Sequence, residues 1–192
     1  MSASFSRRCL FASVLVGAWA APLAALAQSI EIVPPSLASA DGGSGNIIPI
    51  GASSGGVYQV LCPASQLVGL PIGGTIHSIR IRQWNAATSA WPPAASVIAT
   101  YEIRIGGTTK APATISTIFA DNIVNPVLVR SGSLSVAANA YPGGPATATT
   151  PEDWGPEIVF NTPYTYTGGP LVFEFRNTGT GALITGADSN SN

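Results

Sequence analysis

His77 is the only histidine in the 192-residue chain, and it lies in the run TIHSIRI. A Ser-His-Asp or Cys-His scheme would have to use it, because an imidazole is what takes the nucleophile's proton near neutral pH. Alternation puts His77 on the side of Ile79 and Ile81, which predicts a tucked-in ring, and no nucleophile-elbow or cysteine-protease signature lies nearby. A zinc site would need several His or Cys ligands, and a monomer of this chain does not supply them. Paired acids remain. Glu152, Asp153 and Glu157 cluster beside Trp154, and a glycosidase uses two carboxylates with sugar-stacking rings close by. Acids in a loop are more often solvated turn formers, and that is the reading taken here. The segments DGGSGN (41–46) and ADSNSN (187–192) carry oxygen ligands but lack the acid-rich spacing of a calcium loop, so both read as flexible turns. No catalytic residue, metal or cofactor is expected, and the chain reads as a non-enzyme.

Aromatic side chains offer a second chemistry. Trp84, Trp91, Tyr141 and Trp154 lie in or beside loops, where a ring either stacks on a sugar or anchors its loop to the core. These four are the candidate ligand-binding residues. Four more rings, Tyr164, Tyr166, Phe173 and Phe175, flank Gly168-Gly169-Pro170. If TYTGGPLV is a hairpin with the two glycines at its tip, Tyr166 lies opposite Leu171 and Tyr164 opposite Phe173. Both tyrosines then share a face with Leu171, Phe173 and Phe175 as core lining, and Thr165, Thr167, Val172, Glu174 and Arg176 face water.

The elements that must position these residues are strands. SIEIV (29–33), VYQVLC (57–62), TIHSIRIRQW (75–84), SVIATYEIRIG (96–106), PVLVRSGSLSV (126–136), EIVF (157–160), PLVFEF (170–175) and GALITG (181–186) are short β-branched or aromatic runs. Clusters of Gly, Pro, Ser, Asn and Thr separate them, the pattern of an antiparallel sandwich or barrel. CPASQL (62–67) and ISTIFADNI (115–123) each have room for a turn of helix. In SIRIR, Ile79 and Ile81 take one side and Arg80 and Arg82 the other. In YEIRI, Tyr101, Ile103 and Ile105 alternate with Glu102 and Arg104, and Glu102 could pair with an arginine of a neighbouring strand. Residues 138–156 form the longest stretch without a strand signal and are the expected binding surface.

The first 27 residues have a different character. Arg7 and Arg8 precede an apolar run, and Ala25-Leu26-Ala27 offers small-x-small cleavage, the layout of a secretory signal peptide. Leu10-Phe11 inverts the order of the twin-arginine pattern, so ordinary Sec export is the expectation. Cleavage takes Arg7 and Arg8 from the eight basic residues and leaves the nine acids, a net charge of about −3. Six scattered basic residues cannot track a phosphate backbone, so nucleic acid is not an expected partner. Cys62 is the one cysteine left, which rules out an internal disulfide and reads as a buried small apolar side chain. Residues 28–192 are enough for one hydrophobic core and one domain.

VYQVLCPASQL followed by GGTIHSIRIRQ, then ISTIFADNIVNPVLVRSGSLSV and IVFNTPYTYTGGPLVFEFRN, resembles an arrangement in exported bacterial proteins that often carry a Pro-Glu-Pro sorting tail. Those proteins show a Tyr-Gln-Gln-Val-Tyr-like strand and a Gly-x-Ile-x-x-Ile-x-Phe-Arg-like strand. A Thr-Phe-x-x-Asn-like segment and a Thr-Pro-Phe-x-Tyr…Leu-x-x-Asp-Ile-like pair follow. The match runs over residues 57 to 177 in order. Glu174 stands near the family's Asp, and no tail follows ADSNSN, so the chain reads as a truncated or free secreted form. The resemblance implies an extracytoplasmic β-sandwich and assigns no activity. The expectation is thus an all-β, antiparallel, jelly-roll-like β-sandwich, secreted, periplasmic or at the cell surface. Its expected partners are extracellular polysaccharide or other envelope proteins, with no stable membrane span once the signal is removed. A carbohydrate-binding module using the loop aromatics is the alternative, and a small glycan hydrolase using Glu152, Asp153 or Glu157 is a third.

Overall fold

The computed structural model describes residues 29–40, 43–46, 50, 53–84, 87–144, 151–181 and 187–190. The signal-peptide reading of residues 1–27 falls outside them, as does GALITG apart from Gly181.

Alternation in YEIRI becomes the spine of the fold. Tyr101, Ile103 and Ile105 are fully buried while Glu102 and Arg104 stay partly exposed. Their strand, β5 (Tyr101–Gly107), belongs to an antiparallel sheet ordered β2-β9-β5-β6, with β2 at Gly56–Cys62, β6 at Val124–Arg130 and β9 at Leu171–Asn177. Among the described residues, three two-stranded pairs complete the fold. Strand β3 (Thr75–Ile79) pairs with β8 (Ile158–Thr165), and β4 (Ser96–Ile98) with β7 (Leu134–Val136). Strand β1 (Gly43–Asn46) pairs with β10 (Ala187–Asn190). The protein is all-β, in several antiparallel sheets, and among the described residues helix is limited to single 3-10 turns. Two of those turns, Ala64–Gln66 and Phe119–Asp121, lie in the two segments expected to hold one.

The runs 96–106 and 126–136 each break once. Gly132 takes φ +95°, its carbonyl accepts the Tyr101 amide at 2.8 Å, and the pairing passes from β5–β6 to β4–β7. A left-handed φ suits glycine because it has no Cβ to clash. Arg130 braces the bend, donating to the carbonyls of Tyr101 and Ser133 at 3.1 and 2.8 Å. The two runs thus form one bent ribbon, and residues 108–123 are the loop at its tip. One core gathers side chains from three of these sheets, among them Cys62, Ile98, Ile105, Val136, Phe160 and Leu171.

Several expectations are corrected. Strands β8 and β9 do not form a hairpin with each other. The Tyr166 amide donates to the Gly74 carbonyl, its own carbonyl accepts from the Gly73 amide, and β9 goes instead between β2 and β5. With those backbone groups used beside β3, Gly168 and Gly169 arch between two sheets. Tyr164, Tyr166, Leu171 and Phe175 do line the core. The opposite face of β9 is not wet, since Val172 and Glu174 are buried too. His77 is exposed, because the β3–β8 register shifts between Ile76 and Ser78, and its ring bonds Thr75 Oγ1. Arg82 is buried, not solvated, because β3 ends at Ile79 and Arg82 bridges to Trp154. Residues 43–46 and 187–190, read as turns, are the paired strands β1 and β10. Among the described residues, no helix is long and apolar enough to cross a membrane.

Candidate functional site

The expected site residues separate into two environments. Trp91 and Tyr141 exchange both backbone hydrogen bonds at 2.8 Å, and their rings meet at 5.6 Å between centroids inside the core. Gln83, itself buried, tightens the junction by donating its amide to the carbonyls of Tyr141 and Pro142 at 2.7 and 3.0 Å. These two rings anchor loops. Of the two roles open to these rings, stacking on a sugar or anchoring a loop, their burial fits the second. Beside Trp91 lies a half-open cleft of about 250 Å³, walled by Pro92, Pro93, Ala94 and Ala95.

Trp154 is different. It keeps 38% of its surface exposed, and the Arg82 guanidinium lies 5.0 Å from its ring centroid while donating to the Ala40 carbonyl at 2.6 Å. A cation against an aromatic face fixes the ring and polarises it. Trp84 follows Arg82 by two residues and is half-buried. The loop 138–156 is described at both ends, and both are knitted to the 81–91 segment through Tyr141, Trp154 and the Gly155 amide on the Ile81 carbonyl.

The acids take separate positions. Ser78 Oγ donates to Glu157, and Arg80 lies 3.9 Å away, which ties that carboxylate to the β3–β8 pair. Asp153 is exposed, and the Glu152 carboxylate abuts Gly144. Among the described residues no group of three or more His, Cys, Asp or Glu side chains gathers as a metal site requires.

The most developed polar arrangement lies elsewhere, on the face of the four-stranded sheet away from the core. Glu174, in the middle of β9, is only 2% exposed. Its Oε1 accepts from Arg176 Nε at 2.7 Å and Arg104 Nη1 at 3.4 Å, and its Oε2 from Gln59 Nε2 at 2.8 Å. Arg104 also pairs with Glu102 at 2.9 Å, on the same strand. Burial works to raise the Glu174 carboxyl. The hydrogen bonds from Arg176 and Gln59 and the charges of Arg176 and Arg104 outweigh it, and hold the group below the usual carboxylate range.

Gln59 carries the network onward. Its amide also donates to the Phe119 carbonyl at 3.0 Å, and its Oε1 accepts from Asn122 Nδ2 at 2.9 Å. Asn122, fully buried, bonds the Ser116 carbonyl and amide at 2.8 Å each. Phe119, Asn122 and Ser116 all belong to the loop at residues 108–123. A side-chain relay therefore fastens that loop over β2, β9 and β5. At the loop's base Gly106 permits the approach, since a Cβ there would meet the Val124 carbonyl at 2.6 Å and Ile123 Cγ1 at 2.8 Å.

Sequence reading missed this hub. Gln59, Asn122 and Glu174 lie 115 residues apart end to end, and each looks unremarkable alone. The one available signal was that all three fall inside the separate stretches on which the resemblance to exported proteins rests. No known protein family, curated protein or solved structure matches the chain.

Proposed function

We propose that this chain is a secreted, non-enzymatic protein of the cell envelope or extracellular matrix, built as a jelly-roll-like β-sandwich. The observation that carries the reading is the use made of its buried charge. Both oxygens of Glu174 are engaged by Arg176, Arg104 and Gln59, and the relay they start ends on loop backbone. A carboxylate committed in this way supports architecture, where a general acid or base needs an open approach to substrate. The single core shared by the main sheet, β3–β8 and β4–β7 supports two layers packed face to face. Fractionation of the full chain expressed in a Gram-negative host tests the export reading. The mature form should be found outside the cytoplasm, with Gln28 as its first residue. Cytoplasmic protein that still begins at Met1 would overturn it.

One observation favours the carbohydrate-binding alternative: Trp154 is partly exposed with Arg82 held behind its ring. Such a ring can stack on the apolar face of a sugar. Affinity electrophoresis against a panel of bacterial and plant polysaccharides tests it. Retardation that Trp154→Ala abolishes would support the module, and unretarded migration on every polysaccharide would remove it.

A further inference from the structure

Residues 108–123 make a 16-residue loop whose ends meet where Gly107 pairs with Val124. It is compact and folded back on the sheet, the form of an Ω-loop. Its large apolar side chains contribute little to that docking, since Ile115, Ile118 and Phe119 are 44%, 61% and 40% exposed. At its base the loop is held by Ile123 and by the Thr108 amide on the Pro170 carbonyl, and beyond the base its described attachments to the sheet run through Gln59, on Phe119 and Asn122.

That attachment has a direction. Both hydrogens of the Gln59 amide are used, on Glu174 Oε2 and the Phe119 carbonyl, so its own oxygen is what remains to accept from Asn122. The amide faces this way because Glu174 can only accept. Each carboxylate oxygen meets donors alone: Arg176 and Arg104 on one, Gln59 on the other. A proton on either oxygen points at a donor. To accept a proton from Oε2, the Gln59 amide must turn over. It then presents NH₂ to the NH₂ of Asn122 and an oxygen to the oxygen of Phe119, and both links to the loop are lost.

We infer that the 108–123 loop is an acid-released flap, clasped to the sheet by the one-way relay from Glu174 through Gln59 to Asn122. The charged groups facing Glu174 are Arg176 on its own strand and Arg104 on β5, with Glu102 beyond Arg104. From β2 it meets the neutral Gln59, and the loop's own acid, Asp121, is engaged by Ser116 Oγ at 3.3 Å. Glu174 heads the relay, so the clasp responds to its protonation. Its folded-state affinity for protons is depressed, so the clasp is complete above the ordinary value of 4.5 and is lost as pH falls through the lower folded value.

Hydrogen exchange followed by mass spectrometry, corrected for intrinsic rates, tests this on the full mature chain. Between about pH 7 and about pH 3, peptides covering residues 115–123 should lose roughly thirtyfold protection, the worth of the two net hydrogen bonds made through Gln59. Peptides covering β5 and β9 should keep theirs. Glu174→Gln, which places an NH₂ group among the same donors, should release the flap already at about pH 7. Gln59→Leu removes the relay without touching the ion pairs and should do the same, which keeps the test open if Glu174→Gln fails to fold. Loop and strands losing protection together in acid would overturn the inference. So would a loop that stays protected in Gln59→Leu.

Discussion

At the scale of single residues, burial explains more than reactivity does. The Cys62 thiol is 4% exposed, and burial pushes it up to about 12, so it carries almost no thiolate near neutrality. Iodoacetamide at about pH 8, close to a free thiol's own titration range, should leave Cys62 of the native chain unlabelled and should label it fully in denaturant. Tyr101 and Tyr141 are fully buried, and their hydroxyls have no hydrogen-bond partner among the described residues. Burial raises both phenols, and Tyr101 lies under the Arg130 guanidinium with its ring centroid 5.5 Å away. An unpaired buried hydroxyl is a cost that Phe does not carry. Tyr101→Phe should therefore leave the urea midpoint unchanged or raise it, and a drop of more than about 1 kcal/mol would show that the hydroxyl is bonded.

Among elements, the bent ribbon and its tip loop organise the molecule. At the bend Gly132 holds φ +95°, a conformation that costs an L-residue about 1–2 kcal/mol. A Cβ at this position would meet nothing within 4 Å, so Gly132→Ala isolates that backbone cost from any clash. Chemical denaturation should show the loss of about 1 kcal/mol with an unchanged m-value. Part of this organisation was legible in the sequence. Alternation in YEIRI gave the faces of β5, and of the four rings around Gly168-Gly169 three were rightly placed in the core, with Phe173 partly buried against it. Their pairing was not legible, because hairpin and arch share the same local residues. What separates them is that Gly73 and Gly74, far away in sequence, take the backbone groups of Tyr166. His77 was misplaced for a similar reason: a bulge interrupts the alternation on which its burial was argued. A turn within 115–123 was legible, but the docking of the 108–123 loop was not, since Ile118 and Phe119 stay exposed and its buried anchor is the polar Asn122.

Over the whole molecule, the buried charge of the main sheet acts as an architectural hub, with Glu174 joining β9 to β5, to β2 and through Gln59 to the loop. Functional groups held against stability behave in the opposite way, because replacing them tends to stabilise the fold. Acid should therefore act through Glu174. Its contribution is complete above the ordinary value of 4.5, and falls away as pH drops through its lower folded value. The wild type's advantage over Glu174→Gln should shrink in that window and stay constant from there to neutrality. The most direct test is urea denaturation of wild type and Glu174→Gln side by side at about pH 7. A structural hub requires the variant to lose about 2 kcal/mol, as expected when donors to a charged acceptor are left unpaired. A variant as stable as the wild type, or more stable, would contradict the account and point to Glu174 as a group kept for chemistry.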